Sequence, residues 1–172
     1  GMVAETGLNA WVEESGRPGG VGDDGCPAEE GGAGKSLMAR GGAFEGVDVA
    51  ITWHPGAHDE EAKPLSLANT RMDVFFTGRS SHAAASPHLG RSALDAVELM
   101  SVGVQFLREH VPQDSRIHYA MLDSGGIAPN VVQAKAAVRY AIRARDVHAM
   151  FDLNERVKRV AQGAAMMTDT KV

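Results

Sequence analysis

Five periodic segments follow one another after residue 65, and their order limits the fold more than any other feature of the chain. Ala68, Met72, Val74 and Phe76 fall on one face of a strand that ends at Gly78. Leu94, Val97, Met100, Val104 and Leu107 then recur at helical spacing until His110 and Pro112, and Ser92, three residues ahead of Asp95, offers a capping box at the start. Ile117, Tyr119 and Met121 alternate before Gly125-Gly126, and Val132, Ala134, Ala136, Val138, Tyr140 and Ile142 alternate across a longer run. A last helix, capped by Asp146, places Met150, Leu153, Val157, Val160, Ala164 and Met167 along one stripe. Thr170-Lys171-Val172 reads as the opening of a further strand. The order β-α-β-β-α-β, with its last strand cut short, is that of an α+β, ferredoxin-like split βαβ domain over residues 65–172, both helices covering one face of an antiparallel sheet.

Residues 1–64 have a different texture. Leu8 to Ser15 predicts a short helix with Trp11 on its apolar side, and Gly16 to Gly25, with five glycines, a proline and two aspartates, predicts a loop. Lys35 to Arg40 reads as one or two helical turns stopped by Gly41-Gly42. Val47 to Trp53 has the β-branched content of a buried strand that delivers His54 at its end. The charged segment from Pro55 to Pro64 reads as a boundary, dividing the chain into 1–64 and 65–172.

Between these elements lie the residues that carry chemistry. Glu29 and Glu30 are adjacent in a stretch that Pro27 and the following glycines keep out of regular structure. Neighbouring carboxylates raise each other's pKa, and one can hold a metal while the other moves a proton, as metal-assisted hydrolysis requires. The same pair also reads as a solvated acidic turn, and His54 as an ordinary core or surface histidine. Gly34-Lys35-Ser36 resembles the end of a nucleotide-binding P-loop, but that signature needs a glycine where Glu29 stands and a hydrophobic strand where Gly22 to Pro27 stand. A net charge of −5 with dispersed Lys and Arg argues against nucleic acid as a partner. No apolar run reaches the length of a membrane span and no secretory leader is evident. The single cysteine, Cys26, excludes an internal disulfide framework and suits the cytoplasm.

Four separated segments carry a family resemblance: Gly25-Cys-Pro-Ala-Glu-Glu-Gly-Gly-Ala-Gly-Lys35, Val47-Asp-Val-Ala-Ile-Thr-Trp-His-Pro55, Phe76-Thr-Gly-Arg-Ser-Ser-His-Ala-Ala-Ala-Ser-Pro-His-Leu-Gly-Arg91 and Gly125-Gly-Ile-Ala-Pro-Asn-Val-Val132. In order and spacing they resemble the zinc-dependent aminoacylase and carboxypeptidase family, and within it the aminobenzoyl-glutamate hydrolase branch. The resemblance implies Glu29 as general base, Glu30 and His54 as ligands of zinc or manganese, and His82 as a histidine that reaches across a homodimer to polarise the substrate carbonyl. It implies Asn130 and Arg143 as the groups that hold the substrate carboxylate, although Arg139, Arg143 and Arg145 also read as a solvated strand face. Cys26 is expected to be a small buried residue beside the glutamate loop. The implied substrate of the parent enzyme is an N-acyl or aroyl amino acid, with aminobenzoyl-glutamate as the candidate. Two ligand segments of the family, a Gly-His-Asp stretch ahead of the glutamates and a histidine near the C-terminus, have no counterpart here. The chain therefore reads as a fragment: a lid and dimerisation domain attached to a remnant of an α/β catalytic domain, expected to be inactive and metal-free by itself. The alternative is a non-catalytic dimerisation module, pairing through an edge of the sheet that begins at Leu67.

Overall fold

Helix α1 (Met2–Ser15) starts well before Leu8, and the apolar residues it carries are not enclosed: Leu8 and Trp11 are exposed, and the Arg17 guanidinium lies 5.1 Å from the centroid of the Trp11 ring. The computed structural model describes residues 2–29, 33–52, 57 and 66–172, and the chain divides into two compact units, Gly1–Ala62 and Lys63–Val172. In the first unit residues 17–26 have no regular structure, as their glycines and aspartates predict. Helix α2 (Gly34–Arg40) ends where Gly41 donates its N–H to the Leu37 carbonyl at 2.9 Å. The strand expected over Val47 to Trp53 is absent among the described residues, and Val49 and Ile51 are 74% and 88% exposed. A buried strand needs partners on both sides, and no strand is present among the described residues of this unit. Gly34 is the single buried position among them, so this unit has no described apolar core.

The second unit follows the predicted order. Strand β1 (Ala68–Thr77) leads through a short 3-10 turn at Pro87–Leu89 into helix α3 (Ala93–Arg108), then strands β2 (Arg116–Asp123) and β3 (Lys135–Ala144) and helix α4 (Val147–Met167). The sheet order is β1-β3-β2 with both pairings antiparallel. On the other side of β1, Lys171 forms an isolated antiparallel bridge with Thr77, the two exchanging backbone hydrogen bonds of 2.8 Å.

Both helices start on the caps their sequences predict. The Ser92 hydroxyl accepts from the Asp95 N–H at 3.0 Å, and the Asp146 carboxylate accepts from the Ala149 N–H at 2.9 Å. That bond, more than the adjacent Arg145, holds the Asp146 carboxyl below its ordinary pKa. Inward residues of the sheet, Val74, Phe76, Ile117, Val138, Tyr140 and Ile142, meet Val97, Met100, Val104, Leu153 and Val157 in one core. Tyr140 is fully buried, which pushes its phenol pKa up, and its hydroxyl stands 3.4 Å from that of Ser101. Arg108 at the end of α3 donates to the Ile117 carbonyl of β2, and α4 lines a groove beside Met72 to Phe75 of β1. No helix among the described residues is long and apolar enough to cross a membrane.

Candidate functional site

Glu29 stands in a turn that folds back on the start of α2. Lys35 pairs with it at 3.7 Å, both side chains about half exposed, and the two share a cleft with Cys26, Ala33, Gly34 and Ser36. Gly34 is required there: a Cβ at this position would lie 1.8 Å from the Pro27 carbonyl oxygen. Cys26 is only partly buried. The P-loop alternative finds no support, because residues 20–26 form no strand and Lys35 is engaged by a carboxylate. Glu30 and His54, the predicted metal ligands, lie outside the described residues. Among the described residues no three ligand-type side chains converge.

His82 and Asn130 are brought together. The His82 segment runs antiparallel to the segment after Asn130: the Ala83 N–H donates to the Asn130 carbonyl at 2.8 Å and the Val132 N–H to the Ser81 carbonyl at 2.9 Å. This pairing explains why β3 begins at Lys135 although its alternation begins at Val132; the first residues of the periodic run serve the loop instead of the sheet. The His82 ring is locked by its own turn, with Nδ1 accepting from the Ala84 and Ala85 N–H groups at 3.2 and 3.0 Å. Both donors are backbone amides, so Nδ1 is the acceptor of this turn and Nε2 is the N–H of the neutral ring, on an exposed residue. Gly78 lets this loop close, for a Cβ there would stand 1.9 Å from the Arg91 carbonyl oxygen.

Arg143 lies elsewhere. It is near the far end of β3, eight residues beyond Lys135, which at strand rise is about 27 Å from the end to which His82 and Asn130 are tied. It is exposed on the sheet face opposite the helices, directly between Asn69 of β1 and Arg116 of β2. Two rungs of the same face back, Arg139 forms a bidentate pair with Asp73 at 2.6 and 2.7 Å, which lowers the Asp73 pKa and raises that of Arg139. Arg145 binds Asp146 at 3.0 Å. Among the described residues Arg143 alone of the three has no ion-pair partner. Asn69 and Arg116 were not singled out by sequence, since strand alternation gives a face but not the register that sets them beside Arg143.

Residues 68–166 match the peptidase dimerisation domain of the M20 peptidases. The chain belongs to the M20 family. The M20 relatives include one of the subunits of the p-aminobenzoyl-glutamate hydrolase of Escherichia coli, 50% identical over 99% of this chain and 36% of that protein. The mouse Xaa-Arg dipeptidase is 32% identical over the full chain and 40% of its own length. The crystal structure of an aminobenzoyl-glutamate utilization protein from Klebsiella pneumoniae superimposes with a TM-score of 0.52 at 28% identity, covering 61% of this chain and 26% of that one. M20 proteins are peptidases and amidohydrolases and are generally metal-dependent. This chain spans 33–42% of the length of the curated M20 relatives it matches.

Proposed function

We propose that this chain is part of a zinc- or manganese-dependent M20 amidohydrolase that cleaves the amide of an N-acyl or aroyl amino acid, aminobenzoyl-glutamate being the candidate substrate. Residues 65–172 act as its lid and dimerisation domain, and residues 1–64 as a piece of its catalytic domain. The observation that carries the reading is the contrast between His82, an exposed residue whose Nδ1 is held by the backbone amides of its own turn, and Arg143, a guanidinium without an ion-pair partner among the described residues, on an open face. A metal held by Glu30, His54 and ligands outside this chain would supply electrophilic activation of the carbonyl and an acidified water. Glu29 takes the proton of the attacking water and passes it to the departing amide nitrogen, so that amide and water become carboxylate and amine. His82 donates to the carbonyl oxygen as negative charge develops there, Asn130 sits beside it, and Arg143 holds the substrate carboxylate.

Because Arg143 lies about 27 Å along β3 from the end to which the His82 loop is tied, the two serve one substrate only if they come from two copies. The surface proposed for that pairing is the outer edge of β2 with the stripe Leu99, Val102 and Phe106 on the outer face of α3, all exposed. The partner is a second copy of the chain. Two of the relatives are named as different subunits of one Escherichia coli hydrolase, which favours a second reading in which the partner is a homologous subunit. Light scattering of the purified chain separates the two. A cytoplasmic setting belongs to this reading.

The test is a chimera in which residues 1–172 replace the matching span of the Escherichia coli hydrolase subunit that is 50% identical, assayed for aminobenzoate release. Glu29→Gln should lower kcat on the order of 10²- to 10⁴-fold with the fold intact. Unchanged turnover in that variant, or turnover by the 172-residue chain alone, would refute the assignment.

A further inference from the structure

The row of side chains around Arg143 holds more positive charge than one carboxylate needs. Arg116 and Arg143 stand directly opposite each other across the β2–β3 pairing, with Asn69 on the other side of Arg143, and His118 follows on the same face beside Ala141. All four are exposed. Like charges directly opposite on a sheet repel, whereas the neighbouring Asp73–Arg139 pair neutralises itself. Among the described residues no carboxylate pairs with Arg116 or Arg143. Arg116 does have partners, but they are the Gln113 and Ser115 carbonyls, neutral acceptors that fix Nη1 without cancelling its charge. Nor is this the overall balance of the protein: residues 63–172 hold 14 Lys and Arg against 10 Asp and Glu, while residues 1–62 hold 3 against 12.

We infer that Arg116, with His118 beside it, is a specificity-determining residue that takes the side-chain carboxylate of an acidic amino acid whose α-carboxylate lies on Arg143 and Asn69. This rests on the role proposed above for Arg143. Residues directly opposite in an antiparallel pair have Cα atoms about 5 Å apart, so one glutaryl unit can place a carboxylate on each guanidinium. A ligand with one carboxylate leaves the arginine pair half compensated, and one with two removes the repulsion. The open face thus selects a dianion by charge complementarity.

The experiment is a titration of the isotope-labelled 172-residue chain with glutarate, butyrate and inorganic phosphate at constant ionic strength, followed by the arginine Nε–H and strand amide resonances. Glutarate should shift Arg116 and Arg143 together and bind about tenfold more tightly than butyrate, which should shift Arg143 alone. Arg116→Gln should reduce glutarate to the affinity of butyrate and leave butyrate unchanged; Arg143→Gln should abolish both. Because Arg116 also holds a turn, the comparison of ligands on the unsubstituted chain stands as a test without any variant. Equal binding of glutarate and butyrate at Arg143, or phosphate competing as well as glutarate, would overturn the assignment of Arg116 while leaving Arg143 its role. No shift at Arg143 with any ligand would overturn both.

Discussion

Arg139, Arg143 and Arg145 carry the same charge and end in three different situations. Arg139 is spent on Asp73 and Arg145 on the cap residue Asp146, while Arg143 meets no carboxylate among the described residues. Only tertiary register separates them, which is why alternation alone left all three equally open to being a solvated face. The Asp73 pair has a consequence for acid stability. Its folded-state pKa is depressed, chiefly by the Arg139 hydrogen bond, so its contribution is complete above the ordinary carboxylate pKa, about 3.9, and is lost as pH falls toward the folded value, because the unfolded chain takes up the proton first. Asp73→Asn should therefore lower stability at neutral pH and flatten the remaining decline below about pH 4, read by urea unfolding at a series of pH values. An unchanged slope would mean that the pair contributes nothing in solution. At Gly78 the constraint is steric and independent of pH. Gly78→Ala drives a Cβ into the Arg91 carbonyl, and because backbone, not a flexible side chain, must yield, a loss of about 1–3 kcal/mol or more is expected in thermal unfolding.

Helices were legible where a short-range signal fixes them. Ser92 and Asp146 cap α3 and α4 as read, since a cap depends on residues within one turn, and truncating either to Ala should cost about 1 kcal/mol in chemical denaturation. Strands were legible only where a partner exists. The run after Val132 alternates without a break, yet its first residues pair with the His82 loop and β3 starts later. Val47 to Ile51 has equally good β-branched content and forms no strand among the described residues, because pairing is a property of neighbours and not of the segment. The same logic applies to β2, which has a strand on one side only among the described residues. On α3, Phe106 is 72% exposed on a helix whose other face is packed. Phe106→Glu should leave thermal stability within about 0.5 kcal/mol, as expected of an exposed position, while shifting the chain from dimer to monomer in sedimentation velocity. A variant that stays dimeric would remove the β2–α3 surface from consideration.

At the scale of the whole molecule, the placement of His82 and Asn130 at one end of a sheet and Arg143 at the other makes a statement about assembly that no single residue makes. The motif segments were readable along the chain, but their separation in space was not, because neighbours in a motif list need not be neighbours in a fold. If each site draws His82 from one copy and Arg143 from the other, two inactive variants of the chimeric enzyme should rescue each other. A His82→Ala copy supplies an intact Arg143, an Arg143→Gln copy supplies an intact His82, and their mixed dimer contains one complete site and one doubly defective site. With random exchange half of the dimers are mixed, so activity should recover to about a quarter of the unsubstituted level. If both residues served the site of their own copy, every site in the mixture would lack one of them. Mixing would then restore nothing, and the separation along β3 would have to be explained by two distinct ligands. The recovered fraction therefore measures how the sites are assembled, independently of the affinity of either variant for substrate.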